Sequence, residues 1–329
     1  MIVNPVKVGS VNLNIPVLLA PMAAITTPAV RILAEECGAE MTFTEMISAA
    51  ALFRGVRAAR NLIRRSSPGK VFAVQLFGSD PHEMGYSAWY LKNQGAQYID
   101  INMGCPMKDI VSNGSGAALM KTPELASDIV KVVIDSVKDE VPVTVKIRAG
   151  WDFDSLNAVP FAQLMEKSGA RAITVHGRTR NQLYTGKSNP QVIRDVKNSV
   201  SIPVFANGDI KTAADAMELI RFTKADGVMV ARGSFGNPWI FRDIRKSFET
   251  GHCVETPVTS EEKLQMILRH LEMIEISQDA DSLAQSRKQI AWYSKNLHDS
   301  SSFREMVFST SDIQSLKKLA SELFSKNVN

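Results

Sequence analysis

A single cysteine lies where the sequence would allow it to do chemistry. Cys105 is part of the segment Asn102-Met103-Gly104-Cys105-Pro106, which directly follows the apolar run Tyr98-Ile99-Asp100-Ile101. Glycine and proline favour a turn, so we expect the thiol just past the end of a buried strand. A thiol with a pKa of about 8.5 is mostly protonated at neutral pH, so it can donate a proton or act as a nucleophile. The alternative is a buried structural cysteine, since free cysteines are often buried.

Other polar residues end apolar runs in the same way. Lys146 has apolar neighbours on both sides, where lysine is rare unless it pairs with an anion. His176 ends another run and, taken alone, is more typical of a structural histidine. Two later runs end in Asn207-Gly208-Asp209 and Ala231-Arg232-Gly233, and such glycine segments can bind phosphate through backbone N–H groups.

The apolar runs predict the fold. Several are continuous rather than alternating, which is typical of parallel strands buried on both faces. With helix-like stretches between them, they predict a (β/α)8 TIM barrel, whose catalytic face collects the ends of all the strands. A doubly wound sheet is the alternative, but its glycine fingerprint is missing after Leu18-Leu19. The predicted strands cover residues 17–22, 41–46, 71–77, 98–103, 143–148, 172–176, 204–207 and 227–231, and the predicted helices 27–37, 81–93, 122–139, 155–168, 190–198 and 212–223. Residues 6–13 are predicted to form a hairpin that closes the barrel floor, and Thr122 to cap the helix that follows it.

The pattern changes after about residue 248. Thr259 to Glu262 has the sequence of a capping box, and the apolar residues that follow it keep helical spacing. Further helix-like stretches cover residues 283–297 and 313–324. We therefore predict a catalytic barrel over residues 1–245 and an all-helical domain over residues 246–329.

Composition limits the class of protein. The chain has 329 residues, 45% hydrophobic and 22% charged, which suits a globular protein with a sizeable core. No apolar run approaches the roughly 18 residues of a membrane span, and no secretory signal is visible at the start. The three cysteines, an odd number with spacing unsuited to zinc, argue against a disulfide framework and predict a reducing, cytoplasmic compartment without a metal. A net charge of +4 is compatible with a nucleic-acid partner.

The candidate residues together indicate a flavin. A phosphate site after the seventh and eighth strands, with Lys146 below the barrel mouth, predicts bound flavin mononucleotide (FMN). The lysine would stabilise negative charge on the reduced ring. Cys105 opposite the ring could protonate a carbon while the flavin delivers hydride to the neighbouring carbon, and this chemistry reduces an activated carbon–carbon double bond.

Over nearly its whole length, the chain resembles the tRNA-dihydrouridine synthase family, most of all its bacterial branch. The segments that carry the resemblance lie at the predicted strand ends and in the tail. They are Ala20-Pro21-Met22-Ala23, Val74-Gln75-Leu76-Phe77-Gly78, Asn102-Met103-Gly104-Cys105-Pro106, Val145-Lys146-Ile147-Arg148, Val175-His176-Gly177-Arg178-Thr179, Asn207-Gly208-Asp209-Ile210, Gly236-Asn237-Pro238-Trp239, Arg287-Lys288-Gln289 and Ala291-Trp292-Tyr293.

The resemblance implies an FMN enzyme that reduces uridine in tRNA to dihydrouridine, with NADPH reducing the flavin again. Cys105 is then the proton donor, and Asn102 and Arg148 contact the uracil. Ala231 stands where many relatives have glycine, but its backbone N–H is unchanged, so we expect phosphate binding to persist. Gln289 replaces a histidine common in the tail motif. The residues implied to hold the flavin are Pro21, Met22, Ala23, Gln75, Lys146, His176, Asn207, Gly208, Asp209, Ala231 and Arg232.

Basic residues are candidates for contact with RNA. A uracil inside folded tRNA cannot reach a barrel mouth, so we expect the target base to be flipped out. From Arg54 to Lys70 there are six basic residues and no acidic one, and the spacing of Arg54, Arg57, Arg60 and Arg64 predicts one basic helical face. A solvated helix face is the alternative. The predicted RNA contacts are Arg57 and Arg64 here, with Arg287, Lys288 and Lys295 in the tail.

Two other functions stay open at this point. One is a flavin barrel that reduces a small enone or pyrimidine, which would need neither the basic segment nor the helical tail. The other is an RNA-binding protein without catalysis, against which the set of Cys105, Lys146 and His176 argues. The sequence does not determine which uridine is reduced, whether NADPH or NADH is preferred, or the oligomeric state.

Overall fold

Eight parallel strands form a closed barrel in the computed structural model, which describes residues 2–277, 282–295 and 300–326. The strands of the described residues are Val6–Val8 (β1), Val11–Leu13 (β2), Val17–Leu19 (β3), Met41–Ser48 (β4), Ala73–Phe77 (β5), Tyr98–Met103 (β6), Val143–Arg148 (β7), Ile173–His176 (β8), Val204–Asn207 (β9) and Gly227–Val230 (β10). β3 to β10 pair in sequence order, and β10 pairs with both β9 and β3. The sheet therefore has no free edge, which confirms the predicted (β/α)8 barrel and excludes the doubly wound alternative.

The predicted strands match the observed ones to within three residues at each end. The largest difference is in β3, which ends at Leu19 although the apolar run continues to Met22. Pro21 has no backbone N–H to donate to a ladder, so the chain leaves the sheet there. Every residue of β10 is buried, as expected for a continuous apolar run in a parallel sheet.

Helices alternate with the barrel strands. They are Pro28–Glu36 (α1), Ala49–Phe53 (α2), Arg57–Asn61 (α3), Pro81–Asn93 (α4), Lys108–Val111 (α5), Pro123–Val137 (α6), Ala158–Lys167 (α7), Pro190–Ser199 (α8), Ala213–Thr223 (α9) and Ile240–Thr250 (α10). The six predicted barrel helices are all present. Thr122 precedes α6 with Pro123 in the first turn, but its side chain makes no capping hydrogen bond, so that part of the prediction is wrong.

The prediction of one basic helical face from Arg54 to Arg64 is also wrong. Gly55, with φ +72°, separates α2 from α3, and both helices have only five residues. Arg54 and Arg64 lie outside these helices. A residue at positive φ interrupts a right-handed helix, and glycine adopts that conformation without steric cost.

The antiparallel hairpin of β1 and β2 covers the lower end of the barrel, as predicted. Val8 and Leu13 of the hairpin belong to one hydrophobic cluster with side chains from the barrel interior, among them Phe43, Tyr98 and Phe205. A second and larger cluster lies between the strands and the surrounding helices. The interior is thus packed from below, which leaves the carboxyl ends of the strands as the open end.

The tail is helical and has a core of its own. Its helices are Ser260–Ser277 (α11), Ser282–Tyr293 (α12), Ser300–Ser309 (α13) and Ile313–Lys326 (α14). The predicted capping box is present, since the N–H of Glu262 donates to Thr259 Oγ1 at 3.1 Å and the N–H of Thr259 to Glu262 Oε2 at 2.8 Å. Residues 296 and 297 of the predicted stretch 283–297 lie outside the described residues. Ile267, Leu271 and Phe303 pack in the separate core.

The division into two domains stays a prediction. Residues 245 and 246 lie within α10, whose side chains Phe241, Ile244 and Phe248 pack in the barrel core. No helix in the part of the chain that the structure describes has the length and hydrophobicity needed to cross a membrane.

Candidate active site

One cavity of about 480 Å³ opens at the carboxyl ends of the barrel strands. Its volume is in the range of small-molecule and cofactor pockets, roughly 300–1,000 Å³. Cys105, Asn102, Arg148 and all eleven residues implied to hold the flavin line it. The structure therefore brings together side chains from seven strand ends that are up to 211 residues apart in the sequence.

A hydrogen-bond chain below the cavity fixes the turn that carries the thiol. Thr144 Oγ1 donates to Asp100 Oδ1 at 2.7 Å, and Gln75 Nε2 donates to Asp100 Oδ2 at 2.6 Å. Asn102 Nδ2 donates to Gln75 Oε1 at 2.8 Å, while Asn102 Oδ1 accepts the N–H of Cys105 at 2.8 Å. The amide of Asn102 thus connects the buried carboxylate of Asp100 to the backbone of the cysteine.

Two glycines allow the cysteine turn to pack closely. A Cβ on Gly104 would lie 3.3 Å from the carbonyl oxygen of Lys146, and a Cβ on Gly116 would lie 2.8 Å from that of Cys105. Gly116 also has φ +62°, a conformation that side chains disfavour. The N–H of Ala117 donates to the Cys105 carbonyl at 3.0 Å. These contacts hold the thiol against the cavity without using its sulfur.

The thiol of Cys105 is held in its protonated form. Burial raises its pKa, and this effect outweighs the hydrogen bond from the Met107 backbone and the positive charges of Arg148 and Lys146. A nucleophilic cysteine needs the thiolate, which a lowered pKa supplies. A raised pKa instead suits a group that gives up a proton in the reaction.

Lys146 lies in the cavity wall with a neutral partner. Its Nζ donates to Asn207 Oδ1 at 3.0 Å, and Asn207 Nδ2 donates to the Met229 carbonyl at 2.7 Å. Burial, with the nearby charge of Arg148, lowers the pKa of Lys146 to about 8. The sequence predicted an anionic partner for this lysine, whereas the direct partner is an amide. Its charge is therefore available to an anionic ligand.

Arg148 ties the cysteine turn to the loop between β8 and α8. Its Nε donates to the Gly104 carbonyl at 2.7 Å, and its Nη1 to the carbonyls of Thr179 at 2.7 Å and Leu183 at 3.0 Å. Burial lowers the pKa of Arg148 to about 10, so the guanidinium keeps its charge at neutral pH. The hydrogen bonds from these two nitrogens all reach carbonyl groups, and none of them reaches a carboxylate of the described residues.

His176 and Asp209 belong to a second polar group on the strands next to β7, where His176 of β8 is the register partner of Arg148. Asp209 Oδ2 accepts from Arg178 Nη2 and from the Ser188 N–H, both at 2.8 Å. Partial burial favours protonation of Asp209, but the Ser188 N–H and Arg178 outweigh it and keep the pKa of Asp209 low. Burial, and then the cations Lys146, Arg148, Arg178 and Arg232, lower the pKa of His176 well below its usual value, so its ring is neutral at neutral pH.

Glycines allow the loops after β8, β9 and β10 to approach one another. Gly208 has φ +129°, and a Cβ there would lie 2.2 Å from Ser188 Oγ. A Cβ on Gly233 would lie 2.2 Å from the Ile210 carbonyl oxygen. Arg232, 46% exposed, stands beside these loops at the cavity rim. The backbone here has the form of a phosphate cradle with a cation at its edge.

Sequence reasoning missed two aromatic residues of the cavity. Tyr184, 52% exposed, lies in the loop between β8 and α8 with its ring centroid 5.9 Å from Arg148 Cζ and 4.6 Å from Arg232 Cζ. Phe235 follows β10, and the ring of Trp292 stacks on it at 4.1 Å and 11°. An aromatic residue in a loop at the catalytic face was the available signal for Tyr184. For Phe235 the signal was its place in a motif-bearing segment.

The tail motif packs directly on the barrel motif that precedes α10. A Cβ on Gly236 would lie 2.4 Å from the backbone carbonyl of Trp292, and the rings of Trp239 and Tyr293 meet at 6.3 Å and 81°. Gln289 Nε2 donates to the carbonyl of Ile25, a residue of the cavity wall, at 3.4 Å. The helical tail therefore supports one side of the cavity.

The five basic residues predicted to contact RNA outside the cavity do not line it, and they are Arg57, Arg64, Arg287, Lys288 and the exposed Lys295. Arg57 is exposed, and the backbone carbonyl of Arg64 accepts from Arg31 Nη2 at 2.6 Å. Arg287 donates to the Thr310 carbonyl within the helical tail, so this part of its guanidinium is used internally. Lys288 Nζ lies 5.5 Å from the ring centroid of Trp292 and thus near the barrel–tail contact.

Comparison with known proteins identifies the relatives of this chain. The sequence profile of the family described as "Dihydrouridine synthase (Dus)" matches residues 18–329. A probable tRNA-dihydrouridine synthase of Rickettsia conorii is 38% identical over 322 residues, which cover 97% of this chain and 96% of that protein. The tRNA-dihydrouridine synthase B of Pasteurella multocida is 36% identical over 307 residues, covering 93% and 92%.

Solved structures share the fold at low sequence identity. Morphinone reductase in complex with tetrahydroNAD matches with a TM-score of 0.50 at 13% identity, over 79% of this chain and 93% of that one. A 2-naphthoyl-CoA reductase complex matches with a TM-score of 0.58 at 9% identity, over 76% of this chain and 52% of that one. These two matches agree with the barrel described above.

Proposed function

The chain belongs to the dihydrouridine synthase family, and from this premise we propose that it reduces specific uridines of tRNA to 5,6-dihydrouridine with bound FMN and NADPH. The observation that carries the proposal is the arrangement of Cys105. Its thiol is kept protonated on a fixed turn, in the same cavity as Lys146 and the glycine loops after β9 and β10.

The residues present fit a flavin nucleotide. The cavity has the volume of a cofactor site, and its cations include Lys146 and Arg148, whose direct hydrogen bonds reach amide and carbonyl oxygens. Gly208 and Gly233 leave the backbone open where a side chain would collide with a neighbouring loop. When bound, FMN supplies the hydride for the reduction. The residues proposed to hold it are Pro21, Met22, Ala23, Gln75, Lys146, His176, Asn207, Gly208, Asp209, Ala231 and Arg232.

These residues have separable roles. The backbone after β9 and β10, with Arg232, binds the phosphate. Lys146, oriented by Asn207, would offer positive charge to the bound flavin. His176 is neutral and adds no charge, and its Nε2 lies 3.5 Å from Arg178 Nη1, which suits an accepting nitrogen.

Cys105 donates the proton. The proton of its Sγ–H group would be transferred to one carbon of the uracil double bond and a hydride to the other, so the product carries no net charge, and the thiolate left on Cys105 would take a proton from solvent before the next turnover. Asn102 positions the donor through its hydrogen bond to the Cys105 N–H and, with Arg148, contacts the uracil. Tyr184 lines the cavity and can stack on the base.

RNA is held by surfaces outside the cavity. The uridine must leave its stack to reach Cys105, so the surrounding nucleotides need a second surface. We assign phosphate contacts to Arg57 and Arg64 on the barrel, and to Arg287 and Lys288 in the helical domain. The hydrogen bond from the Arg287 guanidinium to the Thr310 carbonyl stabilises the fold of the tail.

A reconstituted reaction tests this function. Purified full-length protein should be yellow, should bleach with NADPH, and should form dihydrouridine in a tRNA transcript without modifications. Nucleoside mass spectrometry measures the product, and free uridine at equal concentration is the control. A colourless protein would refute the flavin, and turnover of free uridine equal to that of tRNA would refute tRNA as the substrate.

A further inference from the structure

A cluster of aromatic side chains lies on the outer surface of the barrel beside β4 and β5. The ring of Phe53 is 5.2 Å from that of His82 and 5.1 Å from that of Tyr86, and Tyr86 is 5.7 Å from Trp89. Phe53 is 39% exposed and Trp89 49%. We call these four residues, with Tyr90, Arg57 and Arg60, the aromatic–basic face.

The packing of α4 on the core involves Tyr90 but does not account for the exposed ring of Trp89. α4 packs on the core through Met84, Ala88 and Leu91, which are fully buried. The hydroxyl of Ser87 also donates to the Ala49 carbonyl at 3.1 Å and joins α4 to α2. Trp89 stands away from these contacts. Large exposed apolar groups that form a contiguous patch commonly mark an interaction site.

The charge of the face indicates a polyanion. Arg60 Cζ lies 5.9 Å from the ring centroid of Tyr90, and Arg57 is exposed beside it. Arg54 is paired with Glu83 at 3.3 Å, and the segment from residue 54 to 70 contains no carboxylate of its own. Aromatic residues and arginine are frequent in protein interfaces as well, but the two arginines Arg57 and Arg60 beside the exposed rings favour a nucleic acid.

The face adjoins the rim of the cavity. Met46 of β4 lines the cavity, and α2 begins three residues later at Ala49. The loop before α4 touches the cysteine region, since Ser79 Oγ donates to the Asn113 carbonyl at 2.6 Å. A strand of RNA with one base in the cavity can therefore continue across this surface.

We propose that the aromatic–basic face binds unpaired nucleotides of the RNA that flank the flipped uridine. Bases stack on Trp89 and Phe53, because every base has a π-face and stacking needs no particular sequence. Arg57 and Arg60 contact the phosphates between them. The proposal rests on the proposed function and extends it, because it assigns a recognition surface for unpaired rather than helical RNA.

Paired variants of the full-length protein test the face. Trp89→Ala should weaken affinity for the tRNA transcript by about 5- to 100-fold, the usual range for one lost base stack. Trp89→Tyr should restore most of it, because the ring is retained. Arg57→Glu should lower the slope of log affinity against log salt by about 0.7 for one lost phosphate contact.

A matched control lies on the opposite side of the barrel. There Arg194 Cζ stands 5.3 Å from the ring of Phe222, which is 40% exposed, on helices that follow β8 and β9. β9 is four places from β5 in the ring of eight strands. Phe222→Ala and Arg194→Glu should leave tRNA affinity and its salt slope unchanged. Thermal unfolding and flavin content of each variant check the fold.

The outcomes separate the two proposals. Wild-type protein that forms no dihydrouridine refutes the proposed function, whatever the face does. If the wild-type protein forms dihydrouridine but Trp89→Ala binds tRNA as tightly as Phe222→Ala does, the proposal for the aromatic–basic face is overturned and the proposed function stands. A change in sedimentation of Trp89→Ala without a change in tRNA affinity would assign the face to a second copy of the chain and likewise overturn it.

Discussion

Replacing Cys105 by alanine should lower the rate of dihydrouridine formation by about 10²–10⁴-fold, the usual contribution of a general acid. The thiol is the only proton donor that we assign to the second half of the reaction. At about 1.36 kcal/mol for each factor of ten, this loss corresponds to roughly 3–5 kcal/mol of transition-state stabilisation.

Cys105→Ala should lower the rate by removing the proton donor and not by disturbing the fold of the turn. The Cys105 turn is held by its backbone, through the N–H to Asn102 Oδ1 at 2.8 Å and the carbonyl to the Ala117 N–H at 3.0 Å. Alanine keeps both bonds. Removal of one partly buried sulfur should cost about 1 kcal/mol of the free energy of unfolding, against a typical total of about 5–15 kcal/mol.

The assay separates the two half-reactions. NADPH-reduced protein is mixed with excess tRNA transcript without oxygen, and flavin reoxidation and dihydrouridine are followed over a single turnover. Cys253→Ala, which removes an exposed thiol, is the matched control and should behave as wild type. Dihydrouridine formation by Cys105→Ala within about threefold of the control would refute the assignment. So would a loss of flavin as large as the loss of product.

Three further results are expected. Gly116→Ala should lower thermal stability and should reduce product formation more than it reduces flavin binding, because φ +62° and a Cβ 2.8 Å from the Cys105 carbonyl oxygen would displace the thiol turn. An unchanged kcat would contradict this. Tyr184→Ala should raise KM for tRNA and Tyr184→Phe should not, because the aromatic ring lies close to Arg148 and Arg232 in the cavity. Equal KM values for the two variants would contradict stacking of this ring on the base. Burial lowers the pKa of His270 to about 4, so between about pH 4 and 6.5 the unfolded chain binds more protons than the folded protein. The contribution of His270 to the free energy of unfolding should therefore be complete above pH 6.5 and should fall as the pH drops through this range. His270→Phe should flatten the pH dependence of stability, because neither ring nitrogen of His270 has a hydrogen-bond partner among the described residues. Calorimetry at pH 5 and 7.5 measures the difference in stability, and a difference equal to that of the wild type would contradict the prediction.

The sequence by itself determined the barrel and the identity of most cavity residues. Continuous apolar runs such as residues 227–231 are expected to be buried on both faces, and eight short strands in alternation with helices leave few folds to choose from. Because a barrel collects all carboxyl strand ends at one face, residues such as Gln75, Lys146 and Asn207 could be grouped without knowing any distance.

Only the tertiary structure decided what depends on contacts between distant segments. Gly55 breaks the basic segment into two short helices, so spacing alone gave the wrong face. The protonation of Cys105 depends on burial, and the amide partner of Lys146 comes from another strand. Stacking of Phe235 on Trp292 joins residues 57 positions apart, and no periodicity in either segment encodes it. Local patterns report which face of an element is apolar, but charge balance and ring contacts arise only when the elements pack together.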